Sequence, residues 1–295
     1  MTARIISGTE IARQITEEVR QEVEDLKTRH GVTPGLATVL VGADPASQVY
    51  VGAKAKACAN LGIYSERHDL PVSTSEAALL ELVEKLNRDT RIHGILVQSP
   101  PPPHINESKV IFAIDPRKDV DGFHPVSVGR MVIGDPGFLP CTPHGIQVLL
   151  ERSGVRTEGA EVVVVGRSNI VGKPIANIML QKAKGANSTV TICHSATKNI
   201  ASHTRRADII IAAIGKPKFI TADMVKEGVV VIDVGVNEIG KTADGKRILV
   251  GDVDFEAVKE KASAITPVPG GVGPMTIVML MSNTVKAAKM AAGLD

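Results

Sequence analysis

Apolar side chains recur at helical spacing from the start of the chain: Ile11, Ile15, Val19, Val23 and Leu26 form one stripe. Ser7 and Glu10 precede that stripe with the spacing of a capping box, so the pattern predicts an amphipathic helix ended by Gly31 and Pro34. The short apolar run Leu36 to Val41 reads as a buried strand. Ser47 to Leu61 then reads as a helix stopped by Gly62, and Ile63 to Leu70 as a second strand. Ser75 to Asn87 aligns Leu79, Val83 and Leu86 on one helical face, and Gly94 to Gln98 follows as a third strand. Such alternation predicts a parallel sheet covered by helices.

The rhythm breaks at Ser99-Pro100-Pro101-Pro102-Pro103-His104, where consecutive prolines exclude both helix and central strand. The run follows a strand's carboxyl end, the side on which open α/β sheets bind ligands, although a stiff connector fits the same residues. A second α/β series begins after Pro140-Cys141-Thr142-Pro143. It has strands at Glu161 to Val165, Thr189 to Cys193, Asp208 to Ala213 and Val229 to Val234, with a helix after Gly172. The stretch Pro269 to Pro274 reads as a rigid glycine-proline turn before an apolar helix from about Met275 to Ala292. The expected fold is therefore two-domain α/β. Residues 1–139 with 270–295 are expected to form a catalytic domain, the Pro/Gly hinge favouring a last helix that crosses back to it over one that ends the second domain, and 140–269 a Rossmann-like, parallel-sheet dinucleotide-binding domain.

Composition narrows the function. The 295 residues are 43% hydrophobic, enough for two cores, and 34 basic residues nearly balance 32 acidic ones. The basic residues are scattered, which argues against a nucleic-acid surface. Three cysteines, Cys58, Cys141 and Cys193, lack paired spacing, so neither a disulfide framework nor a zinc site is expected, and the histidines form no metal-ligand set. No apolar run approaches the roughly 20 residues that span a bilayer, and no targeting leader is recognised, so a cytoplasmic protein without a membrane partner is expected.

Candidate chemistry sits at several places. Val162 to Pro174 reads as strand, glycine turn and helix, an arrangement that aims backbone N–H groups at a phosphate. It departs from G-x-G-x-x-G, because Ser168 takes the second glycine position and Gly172 comes one residue late. The next strand ends Ile192-Cys193-His194-Ser195 without the carboxylate that reads an NAD ribose. Arg167 can instead pair a 2′-phosphate, with Ser195 donating to it, which favours NADP; a solvated loop arginine is the plainer alternative. Tyr50, Lys54 and Cys58 share a helical face, and a lysine between Ala53 and Ala55 loses water if that face is buried. A solvated lysine fits the spacing equally. Asp119-Val120-Asp121-Gly122 reads as a tight turn whose acids either cap it or accept from a ligand, and Gln98 is a polar residue at a strand's end.

Together these residues resemble the methylenetetrahydrofolate dehydrogenase/methenyltetrahydrofolate cyclohydrolase family. The shared blocks are Tyr50-Val-x-x-Lys54-x-Lys56-x-Cys58, Val97-Gln98-x-Pro100-x-Pro102, Lys118-Asp-Val-Asp121-Gly122, Gly166-x-Ser168-x-Ile170-Val-Gly172-x-Pro174 and Pro269-Gly-Gly-Val-Gly-Pro-Met-Thr276. The resemblance implies two chemistries in one cleft: oxidation of 5,10-methylenetetrahydrofolate with NADP, then hydrolysis of the methenyl cation to 10-formyltetrahydrofolate. It implies Lys54 as the proton-transfer residue, Gln98 as its positioner, Tyr50 along the folate and Asp121 at the pterin. It further implies Tyr50, Val51, Gly52, Ala53, Lys54, Val97, Gln98, Ser99 and Asp121 as folate-binding. Pro269, Gly270, Gly271, Val272, Gly273, Pro274, Met275 and Thr276 join them. Gly166, Arg167, Ser168 and Ser195 would hold the cofactor phosphates with Val236 near the nicotinamide, and a homodimer is implied. Two other readings stay open on the residues alone: another two-domain dehydrogenase with a shikimate-like or amino-acid substrate, and a non-catalytic dinucleotide-sensing protein.

Overall fold

Strand and helix alternate throughout the computed structural model, which describes residues 2–135, 137–242 and 245–294. In chain order the first elements are β1 (Arg4–Ile5), α1 (Gly8–His30), β2 (Gly35–Val41), α2 (Pro45–Leu61), β3 (Tyr64–Leu70), α3 (Glu76–Arg88) and β4 (Gly94–Val97). Then come α4 (Glu107–Ala113), α5 (Pro125–Val132), α6 (Cys141–Arg152), β5 (Glu161–Val165), α7 (Gly172–Met179), β6 (Thr189–Cys193), α8 (Ile200–Thr204) and β7 (Ile209–Ala212). The chain closes with β8 (Val230–Asp233), β9 (Asn237–Lys241), β10 (Arg247–Val250), α9 (Phe255–Val258), β11 (Ala264–Ile265) and α10 (Val272–Ala291). No helix among the described residues is long and apolar enough to cross a membrane.

The chain divides into two compact units, Gln14–Cys141 with Ile277–Asp295 and Met1–Arg13 with Thr142–Thr276. In the first, β2 is the middle strand of a parallel sheet, with Leu36 paired to Ser65 of β3 and to Gly94 of β4. Every residue of β2 is buried, as a strand covered on both faces requires. Ala37, Val39 and Val41 pack with Leu79, Val83 and Leu86, the stripe of α3, and with Val110 of α4. Ser75 starts α3 by accepting from the Ala78 N–H, and Gly62 ends α2 at φ 71°. Gln98 lies just outside β4, though its N–H still reaches the Val39 carbonyl at 2.8 Å.

The second unit holds a six-stranded sheet in the order β1-β11-β8-β7-β5-β6, every neighbouring pair parallel, beside the two-stranded antiparallel sheet β9-β10. Val163 and Val165 of β5, Ile210 of β7 and Val231 of β8 belong to its core. The boundaries of β5 and β6 coincide with the expected strands. Three features differ from expectation. Arg4 and Ile5 pair with Ala264 and Ile265, which ties the chain's start to this sheet instead of to 14–139, where the other unit's three-stranded sheet lies. The helix after the proline-glycine stretch already begins at Val272, so Val272, Gly273 and Pro274 form its first turn; proline is accepted there because first-turn N–H groups lack intrahelical partners. Residues up to Thr276 group with the six-stranded sheet, and only Ile277 onward joins the other unit.

Parallel strands feed the turn at Gly166, whose backbone adopts φ +131°. A side chain there would sit 2.1 Å from the Ala213 carbonyl, and one on Gly172 would sit 2.3 Å from the Gly166 carbonyl. This explains the late glycine: α7 approaches the strand end so closely that only hydrogen fits. Gly172→Ala is expected to destabilise the protein by about 1–3 kcal/mol in urea unfolding, the usual cost of overpacking. Unchanged stability would refute this close approach.

Candidate active site

Helix α2 grades from water to core along one face. Tyr50 is 45% exposed, Lys54 8% and Cys58 fully buried, with the Cys58 thiol 3.6 Å from the Met281 sulfur. Lys54 therefore lies where the helix leaves solvent, and its amine needs a partner. The Nζ donates to Gln98 Oε1 at 3.0 Å. Gln98 Nε2 in turn donates to the Ser99 carbonyl at 2.9 Å, which turns the amide oxygen toward the lysine. Burial lowers the Lys54 pKa from 10.5, while the nearby Asp121 carboxylate and Cys141 thiol act in the opposite direction. Asp121 shows the converse: burial raises its carboxyl, opposed by the Lys54 charge and a hydrogen bond with Cys141. Each group thus reduces the cost of charging the other.

The loop bearing Asp121 separates its two acids by role. Asp119, 1% exposed, accepts from the Phe123 N–H at 3.2 Å, the His124 N–H at 2.9 Å and the Ser127 hydroxyl at 2.6 Å. It is the local cap, and burial raises its pKa to about 6 against those three donors. Asp121 instead feels the charge of Lys54 and hydrogen-bonds with Cys141. Asn283 of α10, 5% exposed, holds this loop by donating from Nδ2 to the carbonyls of Val120 at 2.8 Å and Leu139 at 3.0 Å. The Cys141 thiol also donates to Val120, at 3.4 Å. Sequence reasoning missed Asn283 and Cys141. The available signal was the polar run Ser282-Asn283-Thr284 following the apolar stretch Ile277 to Met281.

Other folate-binding expectations are distributed unevenly. Gly52 and Ala53 are half-buried on α2, and Val97, Ser99 and Asp121 are half-buried near Gln98 in sequence or space. Val51 is fully buried, so its side chain serves the core. In the other unit, Pro269 and Gly273 are exposed, Gly270 and Pro274 half-buried, and Gly271, Val272 and Met275 buried. Thr276 shares a 2.8 Å hydrogen bond with Thr142, a residue the sequence reading did not single out. The Gly270 carbonyl accepts from the Thr9 N–H at 3.1 Å.

The expected cofactor residues line one edge. Strands β5, β6 and β8 run in the same direction, so the turn Gly166–Arg167–Ser168, Ser195 after β6 and Val236 after β8 all follow carboxyl ends. Arg167, Ser168, Ser195 and Val236 are exposed there. Ser168 Oγ accepts from the N–H groups of Val171 at 3.1 Å and Gly172 at 3.3 Å. The serine in the second glycine position thereby braces the turn that leads into α7. A glycine cradle with bare backbone beside an exposed arginine fits a dinucleotide phosphate.

Comparison with known proteins identifies the family. Residues 6–121 match the model of the tetrahydrofolate dehydrogenase/cyclohydrolase catalytic domain, and 140–292 match that family's NAD(P)-binding domain. The chain is 68% identical over 294 residues to the bifunctional protein FolD of Dehalococcoides mccartyi strain CBDB1, covering 100% of this chain and 99% of that one. The crystal structure of the bifunctional FolD methylenetetrahydrofolate dehydrogenase/cyclohydrolase from Campylobacter jejuni is 47% identical with a TM-score of 0.92, covering 98% and 99% of the two chains. The Trypanosoma brucei dehydrogenase-cyclohydrolase, solved with NADP cofactor and inhibitor, is 39% identical with a TM-score of 0.93 over 98% of each chain. With both family models matched in order and relatives similar over its whole length, this chain belongs to the tetrahydrofolate dehydrogenase/cyclohydrolase family.

Proposed function

We propose that this protein oxidises 5,10-methylenetetrahydrofolate to the 5,10-methenyl cation with NADP and hydrolyses that cation to 10-formyltetrahydrofolate. Family membership supports the pair of activities and sets aside the shikimate-like and amino-acid substrates. The observation that carries the reading is the buried Lys54 amine, 3.0 Å from Gln98 and electrostatically coupled to Asp121. That trio also bears against a merely dinucleotide-sensing protein, because an idle site has no need of a desolvated amine.

Bound NADP supplies the hydride acceptor. The chain's part in that step is placement: Gly166, Arg167, Ser168 and Ser195 would hold the phosphates, and Val236 would offer an apolar surface to the nicotinamide. Folate lies along Tyr50, whose ring is exposed for it, with Asp121 accepting from the pterin. Water then adds to the methenyl carbon and loses a proton, the bond from that carbon to the pterin-side nitrogen breaks, and the formyl group stays on the other nitrogen. Overall one water is consumed and one proton is released. Lys54, whose pKa burial depresses, takes the proton from water and can return one to the leaving nitrogen. Gln98 keeps one amine N–H engaged so that the lone pair is directed consistently. A homodimer and a cytoplasmic setting belong to the same proposal and are supported by the family likeness alone.

Purified protein given methylenetetrahydrofolate and NADP is expected to produce reduced cofactor, followed by loss of the methenyl absorbance. No reduced cofactor and no hydrolysis of added methenyl substrate would refute the proposal. Lys54→Met is expected to slow hydrolysis by at least about 100-fold, the usual contribution of a positioned proton-transfer group, while NADP still binds. Equal hydrolysis rates would remove Lys54 from the mechanism. The rate of hydrolysis should rise with pH through a midpoint below 10.5, because the neutral amine is the active form and its pKa is lowered. Asp121→Asn deletes a charge that raises this pKa, so the residual activity should show its midpoint at still lower pH. A midpoint that stays put or moves up contradicts the coupling.

A further inference from the structure

Two carboxylates lie inside the six-stranded unit, Asp233 at 3% exposure and Asp252 at 0%. Burial of two neighbouring acids is costly unless their oxygens are satisfied. Asp233, the last residue of β8, accepts at Oδ1 from the N–H groups of Gly235 at 3.0 Å and Asp252 at 2.9 Å, and at Oδ2 from Val253 at 3.0 Å. Asp252, two residues beyond β10, accepts at Oδ2 from the N–H groups of Ile214 at 2.7 Å and Gly215 at 2.9 Å. Its Oδ1 takes the Asn237 side-chain amide at 2.9 Å. The backbone makes room: a side chain on Gly235 would lie 2.2 Å from Asp252 Oδ1, and one on Gly251 would lie 1.8 Å from Asp233 Oδ2.

None of these bonds belongs to a strand ladder. They hold the turns by which the chain leaves β7 and β8 at their carboxyl ends. The first turn, Ala213 to Gly215, presses the Ala213 carbonyl against the backbone of Gly166, at the head of the phosphate turn. The second carries exposed Val236 directly after Gly235. One buried acid pair therefore sets the shape of two segments along the edge that faces the dinucleotide. A turn fixed before binding loses less entropy when the ligand arrives.

We propose that Asp252, braced by Asp233, is the positioning residue of the cofactor site, holding the 213–215 and 235–236 turns in their NADP-binding shape. The inference rests on the reading of this edge as the NADP site. Its action is on cofactor binding, whereas hydrolysis of added methenyl substrate uses Lys54 and Gln98 in the other unit.

The test measures both activities of the full-length protein. Asp252→Ala leaves the Ile214 and Gly215 N–H groups without their acceptor, and the KM for NADP is expected to rise about tenfold or more. Hydrolysis of 5,10-methenyltetrahydrofolate, assayed without NADP, should stay within about twofold of the parent. Asp252→Asn keeps one acceptor oxygen and should fall between the two in NADP KM. Gly215→Val, which strains a turn held at φ +70° while leaving both acids in the sequence, should reproduce the rise, and with Asp252→Asn it carries the test if Asp252→Ala fails to fold. An NADP KM within about twofold of the parent in the folded variants overturns the proposal. So does a parallel loss of hydrolysis, which marks a purely structural role. A parent protein that reduces no NADP at all defeats the cofactor reading itself, a result distinct from either.

Discussion

An amine taken out of water must find an acceptor or give up its proton, and at Lys54 the surroundings press toward both answers at once. Helix α2 carries the side chain from solvent into a nearly closed environment within one turn. Gln98 offers a neutral acceptor, which satisfies a hydrogen without neutralising the charge. Asp121 supplies the opposing charge but is itself desolvated, so burial works against its ionised form just as it works against the lysine's. The outcome is an amine whose pKa lies below its ordinary 10.5 and which gives up its proton more readily than a surface lysine. A fully paired surface lysine would be useless as a base, and a fully isolated one would cost too much to bury.

Much of the surrounding structure can be read as the means of holding that balance. Asp119 takes on the capping of its loop, which frees Asp121 from local duty. Asn283 reaches the two carbonyls that flank this region, Val120 and Leu139, and fixes the backbone on which Asp121 stands. The six-stranded unit uses a related device for another purpose, with buried acids gathering backbone N–H groups from turns far apart in sequence. In both places a buried carboxylate organises irregular backbone that no ladder would hold.

Legibility in the sequence followed the range of the interaction. The stripe of α3 and the apolar β2 were visible because their periodicity is local and strong, and β5 and β6 matched at both ends because long β-branched runs stop abruptly at polar or glycine residues. The two-residue strand β1 was invisible, since it exists only by pairing with β11 some 260 positions away. Helices α5 and α6 start at or run through prolines and escaped a reading that treated proline as punctuation, and the β9–β10 hairpin lacks a clear alternating pattern. At the site, spacing put Lys54 on the same face as Tyr50 and no further. The motif resemblance joined it to Gln98 and Asp121, and the structure supplied the 3.0 Å bond to Gln98 and the electrostatic coupling to Asp121. Asn283, Cys141, Asp233 and Asp252 act through tertiary contacts that no window of sequence displays.

The central claim concerns the ionisation of one amine, and it is tested most directly by following the Lys54 Nζ resonance with pH in the ligand-free protein, using nitrogen-labelled lysine assigned with Lys54→Met. The account predicts a midpoint below the ordinary 10.5, shifting lower in Asp121→Asn. A midpoint at or above 10.5, unmoved by loss of Asp121, would contradict it.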